Sequence, residues 1–380
     1  MFLDKRIFIF LIASIPILFS TINGLSTYLS FGILSLLFGF FLLNHLNIRF
    51  KILEFFLFIF LFIYIAAGFE NPAWLIDIRI TLTSLMFFFV FNWSLRSVSN
   101  DKIINIIFFL NFGSFVIFIF IYYGIIPNLY FDDTIAAYQD YKFIANPIFL
   151  FYIFPFLFAL NNRKANKIFL INFLFGFITG ILSGSLQTLI LVVLIHGLVL
   201  LNPKKFRFYN MVILLAGAGC FFYFMNYVDV RFTDKMKYVF EPFESSTVQT
   251  RISDFLSIWP IATASIEQVI FGSGIGIRST VYRFNESYPS LSEYKTFLEI
   301  DNGFFYIFHR YGLIGILFFF YGHKKIFCRI KGINSKVIFL IIVIVINSLS
   351  IHYWSHFIFP ILIALILTIN DKINEQNNPL

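Results

Sequence analysis

The sequence predicts an all-α, polytopic integral membrane protein with about twelve transmembrane helices, and its composition indicates this class. Of the 380 residues, 59% are hydrophobic, 13% are charged and 58 are phenylalanine, and the mean hydropathy is +0.85. Water-soluble domains usually carry roughly 25% charged residues. Apolar stretches recur along the whole chain, and several reach about 18 residues, the length that crosses a hydrocarbon core of roughly 30 Å. The composition therefore excludes an ordinary soluble domain.

Short polar connections separate the apolar stretches and define the predicted crossings. The predicted spans lie near residues 7–23, 28–44, 52–69, 73–95, 103–126, 146–160, 168–183, 186–201, 209–228, 303–322, 337–351 and 354–370. The first stretch follows two basic residues, as a secretory signal does, but no small-x-small cleavage pattern follows Ser20. We expect this first span to be retained.

The basic residues predict the orientation, because Lys and Arg are enriched in short cytoplasmic connections. They fall on alternate connections and near both termini, namely at Lys5 and Arg6, Arg49 and Lys51, Arg96 and Lys102, Arg163 to Lys167, Lys204 to Arg207, Lys324 to Lys336, and Lys372. We therefore expect both termini in the cytoplasm. This bias explains the net charge of +8 and makes nucleic-acid binding an unnecessary explanation of the basic balance.

One long polar interruption divides the chain into three predicted parts. Residues 1–228 contain nine spans with short connections, and residues 303–380 contain three spans and a cytoplasmic tail. Between them, residues 229–302 form a large external loop with short helices. We expect the candidate active site in this loop, because most of the motifs that suggest chemistry lie in it.

A second predicted external loop, residues 127–146, contains acids beside tyrosines. Asp132, Asp133 and Asp140 are candidates for sugar binding, because carboxylates accept hydrogen bonds from hydroxyl groups and aromatic rings stack on apolar sugar faces. A solvated acidic loop with interfacial tyrosines is the simpler interpretation. The sequence leaves both open.

Arg251 lies at the start of a predicted amphipathic helix in the large loop. Thr250 is the expected N-cap, and the apolar stripe ends before Pro260. An arginine in the first turn, near the lipid headgroups, can bind a pyrophosphate through its planar fork. An ordinary helical ion pair between Arg251 and Asp254 is the alternative.

The segment FGSGIGIR contains three closely spaced glycines before an arginine. Gly272, Gly274 and Gly276 allow backbone amides to approach an anion, and Arg278 would neutralise its charge. The segment lacks the strand-to-helix context of a dinucleotide fingerprint. A plain turn is the default interpretation.

Polar residues lie on the outer part of the predicted tenth span, where they need a cavity or partners. Asp301, Asn302, His309 and Arg310 are the residues concerned, and Asn302 and His309 share a helix face about 10 Å apart. His309 suits a base or a phosphate contact, and a structural hydrogen bond between helices is the alternative. Arg79, near the outer end of the fourth span, is expected either to reach the same cavity or to form an ion pair between helices.

The order of these motifs resembles the O-antigen polymerase and ligase superfamily, and within it the Wzy-type polymerases of bacterial surface polysaccharide. SGSLQTLI at 183–190 resembles the family's Ser-x-Ser-Arg stretch, with Leu186 or Gln187 where an arginine is common. DNGFF followed by YGLIGIL resembles the motif that begins the span after the large loop, but Asp301 stands in the place of a histidine. That departure favours a polymerase over a ligase.

The resemblance implies a bacterial inner-membrane glycosyltransferase that needs neither a metal nor another cofactor. Its donor and acceptor would be repeat units linked to undecaprenyl pyrophosphate, joined on the external face, with a chain-length regulator and a flippase as partners. A ligase that transfers glycan to lipid A core and a lipid-linked oligosaccharide flippase are the alternatives. No sugar identity follows from the sequence.

The resemblance also implies roles for the candidate residues. Cations would stabilise the pyrophosphate leaving group, with Arg251 and Arg278 the first choices and Arg79 and Arg310 the next. Asp301 or His309 would be the general base, and Asn302 would join the three acids of the smaller loop in binding sugar.

Overall fold

The structure is a computed structural model, and it is predominantly helical, as the sequence predicts. It describes residues 25–44, 69–71, 74–96, 98–125, 148–161, 163, 166–182, 186–200, 246–283, 293–297, 302–346 and 362–369, with Ile9, Ile12, Gly219 and Lys372 as single positions. The predicted spans 7–23, 52–69 and 209–228 lie almost entirely outside these residues, and the predicted loop 127–146 lies entirely outside them.

The helices that precede the large loop begin and end within four residues of their predicted limits. They are α1 (Leu25–Asn44), α2 (Trp74–Leu95), α3 (Asn100–Tyr122), α4 (Ile148–Leu160), α5 (Lys167–Leu182) and α6 (Leu186–Leu200). Their helical character is confirmed. Each forms because a long run of Leu, Ile and Phe satisfies its own backbone groups within the helix and leaves its apolar side chains for burial.

The part predicted as an external loop folds into short elements. These are α7 (Ser246–Ala262), α8 (Ile266–Phe271), β1 (Ser279–Arg283) and β2 (Glu293–Phe297). The strands pair antiparallel, with Ser279 opposite Phe297 and Arg283 opposite Glu293. The helix around Arg251 is confirmed, but the expected cap at Thr250 is wrong, because α7 begins at Ser246 and continues past Pro260.

The helical element that follows the loop, α9 (Gly303–Arg329), extends beyond the predicted span. Its two halves fold back on each other at Gly312, because the Phe304 ring lies 5.6 Å from that of Phe319 and 6.1 Å from that of Phe320. The predicted span stops at residue 322, yet the helix continues through the basic cluster, and α10 (Ile333–Ile341) begins after only three residues. A π-helical turn, Ile342–Ile346, and a helical segment at 362–369 complete the described part. Lys and Arg are good helix formers, so the limit of an apolar run is not the limit of a helix.

Within the described residues, two helices are long and apolar enough to cross a membrane. By length and composition they are α3, of 23 residues, and α9, of 27 residues, but α9 reaches this length only as two halves joined at Gly312. Shorter apolar helices, among them α5 with 16 residues, accompany them. The predicted number of twelve crossings stays a prediction.

Helix α4 lies at the centre of the bundle, where it packs against α3, α5, α6 and α10. Its residues Phe151–Phe158 are all buried, and it contains Pro155. A helix that is apolar on every side needs protein or lipid on every side, and here protein surrounds it. The core is therefore built around a helix with no polar face.

A buried chain of hydrogen bonds joins three of these helices. Asn111 Nδ2 on α3 donates to Asn172 Oδ1 on α5, and Asn172 Nδ2 donates to His196 Nε2 on α6 at 3.2 Å. His196 Nδ1 donates to the Val192 carbonyl at 2.8 Å, which makes Nε2 the acceptor. All three polar side chains are buried. This network fixes the positions of α3, α5 and α6 along their axes relative to one another. A shift of one helix along its axis would leave buried polar groups unpaired.

Basic and polar residues tie several connections together at one end of the bundle. Lys372 Nζ donates to the carbonyls of Leu95, at 2.8 Å, and Val98, and so caps the last turn of α2. Arg163 pairs with Asp101, and Asn100 Nδ2 donates to Asn161 Oδ1 at 2.9 Å. The connections after α2 and after α4 therefore meet near Lys372.

We expect Asn172→Leu to lower the stability of the protein by about 1–3 kcal/mol, because it leaves the buried amide of Asn111 and the ring nitrogen of His196 without their shared partner. The measurement is the melting temperature of purified protein in detergent. Asn105→Leu is the matched control, because Asn105 is an exposed residue of α3. Equal shifts in the two variants would contradict a structural role for the network.

Candidate functional site

The site is organised by a break inside α9. Gly312 has φ 61° and ψ −160°, which no helical residue adopts, so α9 consists of two helical halves. Carbonyl groups just before such a break lose their helical partners. The loop supplies replacements, because the amide of Ser273 donates to the His309 carbonyl at 2.7 Å and that of Gly274 to the Arg310 carbonyl at 3.0 Å.

Two glycines make this docking possible. A Cβ on Gly272 would lie 2.4 Å from the carbonyl of Arg310, and a Cβ on Gly312 would lie 2.3 Å from the Ile270 carbonyl oxygen. Both glycines have positive φ angles, 76° and 61°. A residue with a side chain is excluded at both positions by backbone conformation and by space.

The glycine turn, residues 272–277, is held from two further directions. Asn71 Nδ2, in the segment before α2, donates to the Ile275 carbonyl at 2.6 Å. Arg310 Nη2 donates to the Ile277 carbonyl at 3.4 Å. Helix α9 and the start of α2 thus meet at one turn. The turn is therefore a junction between parts of the chain that are distant in sequence.

The amides of two predicted anion-binding glycines are already engaged. The Gly272 amide donates to the Gln268 carbonyl, at 2.8 Å, and the Gly274 amide donates to Arg310. An anion nest needs amides that no protein carbonyl occupies. At these two positions the glycines permit close packing in a turn, and a pyrophosphate contact there stays a prediction. A pyrophosphate contact involving Gly276 or the exposed Arg278 stays a prediction.

Arg310 lies beneath the turn and is 1% exposed. Its guanidinium carbon lies 4.3 Å from the centre of the Tyr306 ring, one helical turn earlier, and its Nη2 reaches Ile277. A buried guanidinium is stabilised by such contacts with a ring face and a carbonyl. The structure gives Arg310 a part in holding the turn, and a contact with pyrophosphate stays a prediction.

Aromatic contacts attach α7 to the first half of α9. The Phe255 ring lies edge-on to that of Phe305 at 4.7 Å, and the Trp259 ring stacks on that of Phe308 at 5.8 Å. The contact positions advance together along both helices, which indicates that the helices run in the same direction. Arg251, one turn before Phe255, therefore lies near the level of Asn302, where α9 begins. Arg251 is half-buried.

Asn302 is the N-cap of α9. Its Oδ1 accepts from the amides of Phe304 and Phe305 at 3.0 and 3.1 Å. A cap of this kind typically contributes about 1 kcal/mol. A sugar hydroxyl that donated to the same oxygen would compete with the cap. The predicted sugar contact of Asn302 stays a prediction.

The remaining candidate residues are either buried or half-buried, or lie outside the described residues. His309 is 1% exposed, so an acceptor hydroxyl could reach it only after a local opening. Arg79 is half-buried in the second turn of α2, the helix whose first residues follow Asn71. The acids Asp301, Asp132, Asp133 and Asp140 lie outside the described residues. No three His, Cys, Asp or Glu side chains in the described ranges are grouped as a metal ion would require.

Sequence reasoning missed three residues that build the site. Asn71 precedes a proline in a short connection, which signals a turn but not a distant partner. The sequence pattern marks Gly312 and Tyr306 only as ordinary residues of a span. A glycine inside an apolar helix indicates that another backbone segment can approach the helix closely, but it does not identify that segment.

Comparisons with protein-family models, curated proteins and solved structures found no match for this chain.

We expect Gly312→Ala to lower the stability of the docked turn by about 1–3 kcal/mol, because the φ and ψ angles at this position are essentially limited to glycine. The measurement is limited proteolysis of residues 246–297 together with the melting temperature. Gly322→Ala in the same helix is the control, since a Cβ there meets no atom within 4 Å. If both variants resist protease equally well, the junction does not depend on Gly312.

Proposed function

We propose that this chain is a polytopic inner-membrane polymerase of a bacterial surface polysaccharide. It joins repeat units carried on undecaprenyl pyrophosphate, on the external face of the membrane, by glycosyl transfer. The observation that carries the proposal is a junction on the first half of α9, which contacts both α7, the helix of Arg251, and the glycine turn. These are the features on which the resemblance to O-antigen polymerases rests, and they are in contact.

The contacts of α2 support the proposed orientation. Its 22 residues span about 33 Å, close to the thickness of a hydrocarbon core. Asn71, just before its first residue, contacts the loop that is predicted to be external. Its last residue, Leu95, contacts Lys372, which is predicted to be cytoplasmic. Segments that the charge pattern assigns to opposite sides of the membrane are thus found at opposite ends of one helix.

The position of Arg251 beside α9 supports the proposed reaction. Arg251 lies beside the first turn of α9, and the exposed Arg278 follows the glycine turn that packs on the same helix. Cations along this half of α9 would stabilise the charge that develops on a departing pyrophosphate. The N-terminus of α9 adds a partial positive charge at the same level.

Glycosyl transfer forms one bond to the anomeric carbon of the donor and breaks another. A hydroxyl oxygen of the acceptor repeat unit attacks the anomeric carbon of the donor, and a new glycosidic bond forms as the bond from that carbon to the pyrophosphate oxygen breaks. The electron pair leaves with undecaprenyl pyrophosphate, and the hydroxyl proton passes to a general base. Burial of His309 favours Asp301 as that base, because a base must lie within hydrogen-bonding reach of the proton.

We expect Arg251→Ala to abolish chain growth while protein level and membrane insertion stay normal. The measurement is the length distribution of surface glycan on a gel, in a deletion strain complemented with each variant. Arg251→Lys is the informative comparison, because lysine keeps the charge but lacks the bidentate fork. Arg329→Ala, at the other end of α9, is the neutral control. A full-length glycan ladder from Arg251→Ala would refute the assignment.

The deletion strain separates the competing functions. Loss of a polymerase leaves single repeat units on the cell surface. Loss of a ligase would leave long chains on the carrier lipid, and loss of a flippase would leave single units facing the cytoplasm. Either of the last two patterns would overturn the proposed reaction, whatever the membrane topology.

Topology has its own test, by cysteine labelling of intact spheroplasts with a membrane-impermeant maleimide. In a Cys220→Ser, Cys328→Ser background, we expect Arg278→Cys to react before permeabilisation. With Cys328 retained instead, reaction should require permeabilisation, because Cys328 is exposed but lies in the basic cluster. Equal reactivity of the two positions before permeabilisation would contradict the orientation.

A further inference from the structure

Three lysines lie around one aromatic ring where α9 ends and α10 begins. Lys336 Nζ, early in α10, lies 5.1 Å from the centre of the Phe327 ring in the second half of α9. Lys324 is three residues before Phe327, which puts both on one side of that helix. Lys331 lies in the three-residue connection between the helices. Lys324 and Lys331 are exposed and Lys336 is half-buried, so a ligand can reach this lysine cluster.

No acidic side chain balances the lysine cluster within the described residues. Residues 303–370 contain no Asp or Glu, and α4 and α6, against which α10 packs, contain none either. The three lysines accordingly form no ion pair with any residue that the structure describes. Grouped ammonium ions without a counter-charge favour an anionic ligand, and a phosphate can accept hydrogen bonds from several of them.

An exposed apolar stripe of α10 begins beside the lysine cluster. Ile333, Val337 and Leu340 are all exposed, Ile333 by 78%, and their spacing of four and three residues puts them on one side of the helix. Lys336 is three residues after Ile333 and four before Leu340, so it borders the same side. Ile338, on the opposite side, is buried. The exposed surface is therefore amphipathic, with cations near the start of the helix and apolar side chains along it.

We propose that the lysine cluster binds the phosphate of an anionic phospholipid, whose acyl chains lie along the stripe of Ile333, Val337 and Leu340. An anionic amphiphile satisfies both parts of this surface. A soluble polyanion would leave the stripe in water, and an apolar protein segment would leave the cations without a counter-charge. Basic clusters beside membrane helices attract anionic headgroups in this way. The inference rests on the membrane location proposed above, and it depends neither on glycosyl transfer nor on the orientation of the chain.

The experiment uses the full-length chain with Cys220→Ser, which leaves Cys328 as the one thiol for labelling. Cys328 is exposed and lies four residues after Lys324, on the same side of α9. A bimane fluorophore on Cys328 is quenched by phospholipid that carries a nitroxide at carbon 5 of one acyl chain. The protein is reconstituted in phosphatidylcholine vesicles, and the quencher is either nitroxide-labelled phosphatidylglycerol or nitroxide-labelled phosphatidylcholine.

Two double variants with the same loss of charge locate the effect. The site variant is Lys324→Gln with Lys331→Gln, and the matched control is Lys325→Gln with Arg329→Gln. Lys325 and Arg329 are each two residues from Phe327 and so lie on the other side of α9, where Lys325 Nζ is 4.7 Å from the centre of the Tyr321 ring. Lys324→Gln with Lys336→Gln repeats the measurement if the first site variant does not fold.

We expect phosphatidylglycerol to half-quench the label at a several-fold lower mole fraction than phosphatidylcholine. The site variant should lose this preference, and the control variant should keep it. Equal quenching by the two lipids in the parent protein would overturn the proposal. An equal loss in both double variants would show a general effect of net charge, and would overturn it as well.

A soluble ligand has its own arm, in which polyglutamate is added to vesicles of phosphatidylcholine alone. If polyglutamate shifts the bimane emission and phosphatidylglycerol quenches no better than phosphatidylcholine, the ligand is an acidic protein segment, and the lipid proposal is wrong. Because the glycan gels test glycosyl transfer separately, failure of lipid binding can be distinguished from failure of the proposed function.

Discussion

The arrangement of the loop depends on a contact between two stretches of backbone. Gly272 and Gly312 let the turn after α8 approach α9 so closely that the amides of Ser273 and Gly274 satisfy carbonyls released by the helix break. Hydrogen bonds of this kind are strong in an apolar environment, and the groups that make them are expensive to leave unpaired. The positions of α7, α8 and β1 follow from this contact, since they connect to the turn or pack beside it.

Elsewhere in the described residues, buried polar side chains serve the same purpose of joining helices. The Asn111, Asn172 and His196 network joins three helices in the core, and Lys372 caps α2 from a distant part of the chain. These groups lie in a bundle whose apolar contacts have little directional preference, so that helices could shift relative to one another with a small change in free energy. Directional hydrogen bonds remove that freedom, so a few polar residues define the packing of many apolar ones.

Much of the fold was predictable because helices in such a chain follow its apolar runs. The limits of α2, α4 and α6 agree closely with prediction for this reason. Hydropathy did not predict the C-terminal limit of α9, where charged residues continue the helix. The predicted N-terminal limit of α7 at Thr250 was also wrong, because the helix begins before its apolar stripe. The candidate site was less predictable. Arg251 and the glycine segment could be identified, but the pairing of Asn71 with Ile275 spans 204 positions, and no local pattern reports such a contact.

The contact between Gly272 and Gly312 also limits how the protein can change. In most packed sites, a larger residue is accommodated when a neighbouring side chain becomes smaller. Here the atoms that a new Cβ would meet belong to the main chain of Ile270 and Arg310, which every residue type possesses. No second substitution can make room by removing them. A substitution at either position therefore cannot be compensated by a smaller side chain nearby. We expect both positions to have remained glycine during the evolution of this protein.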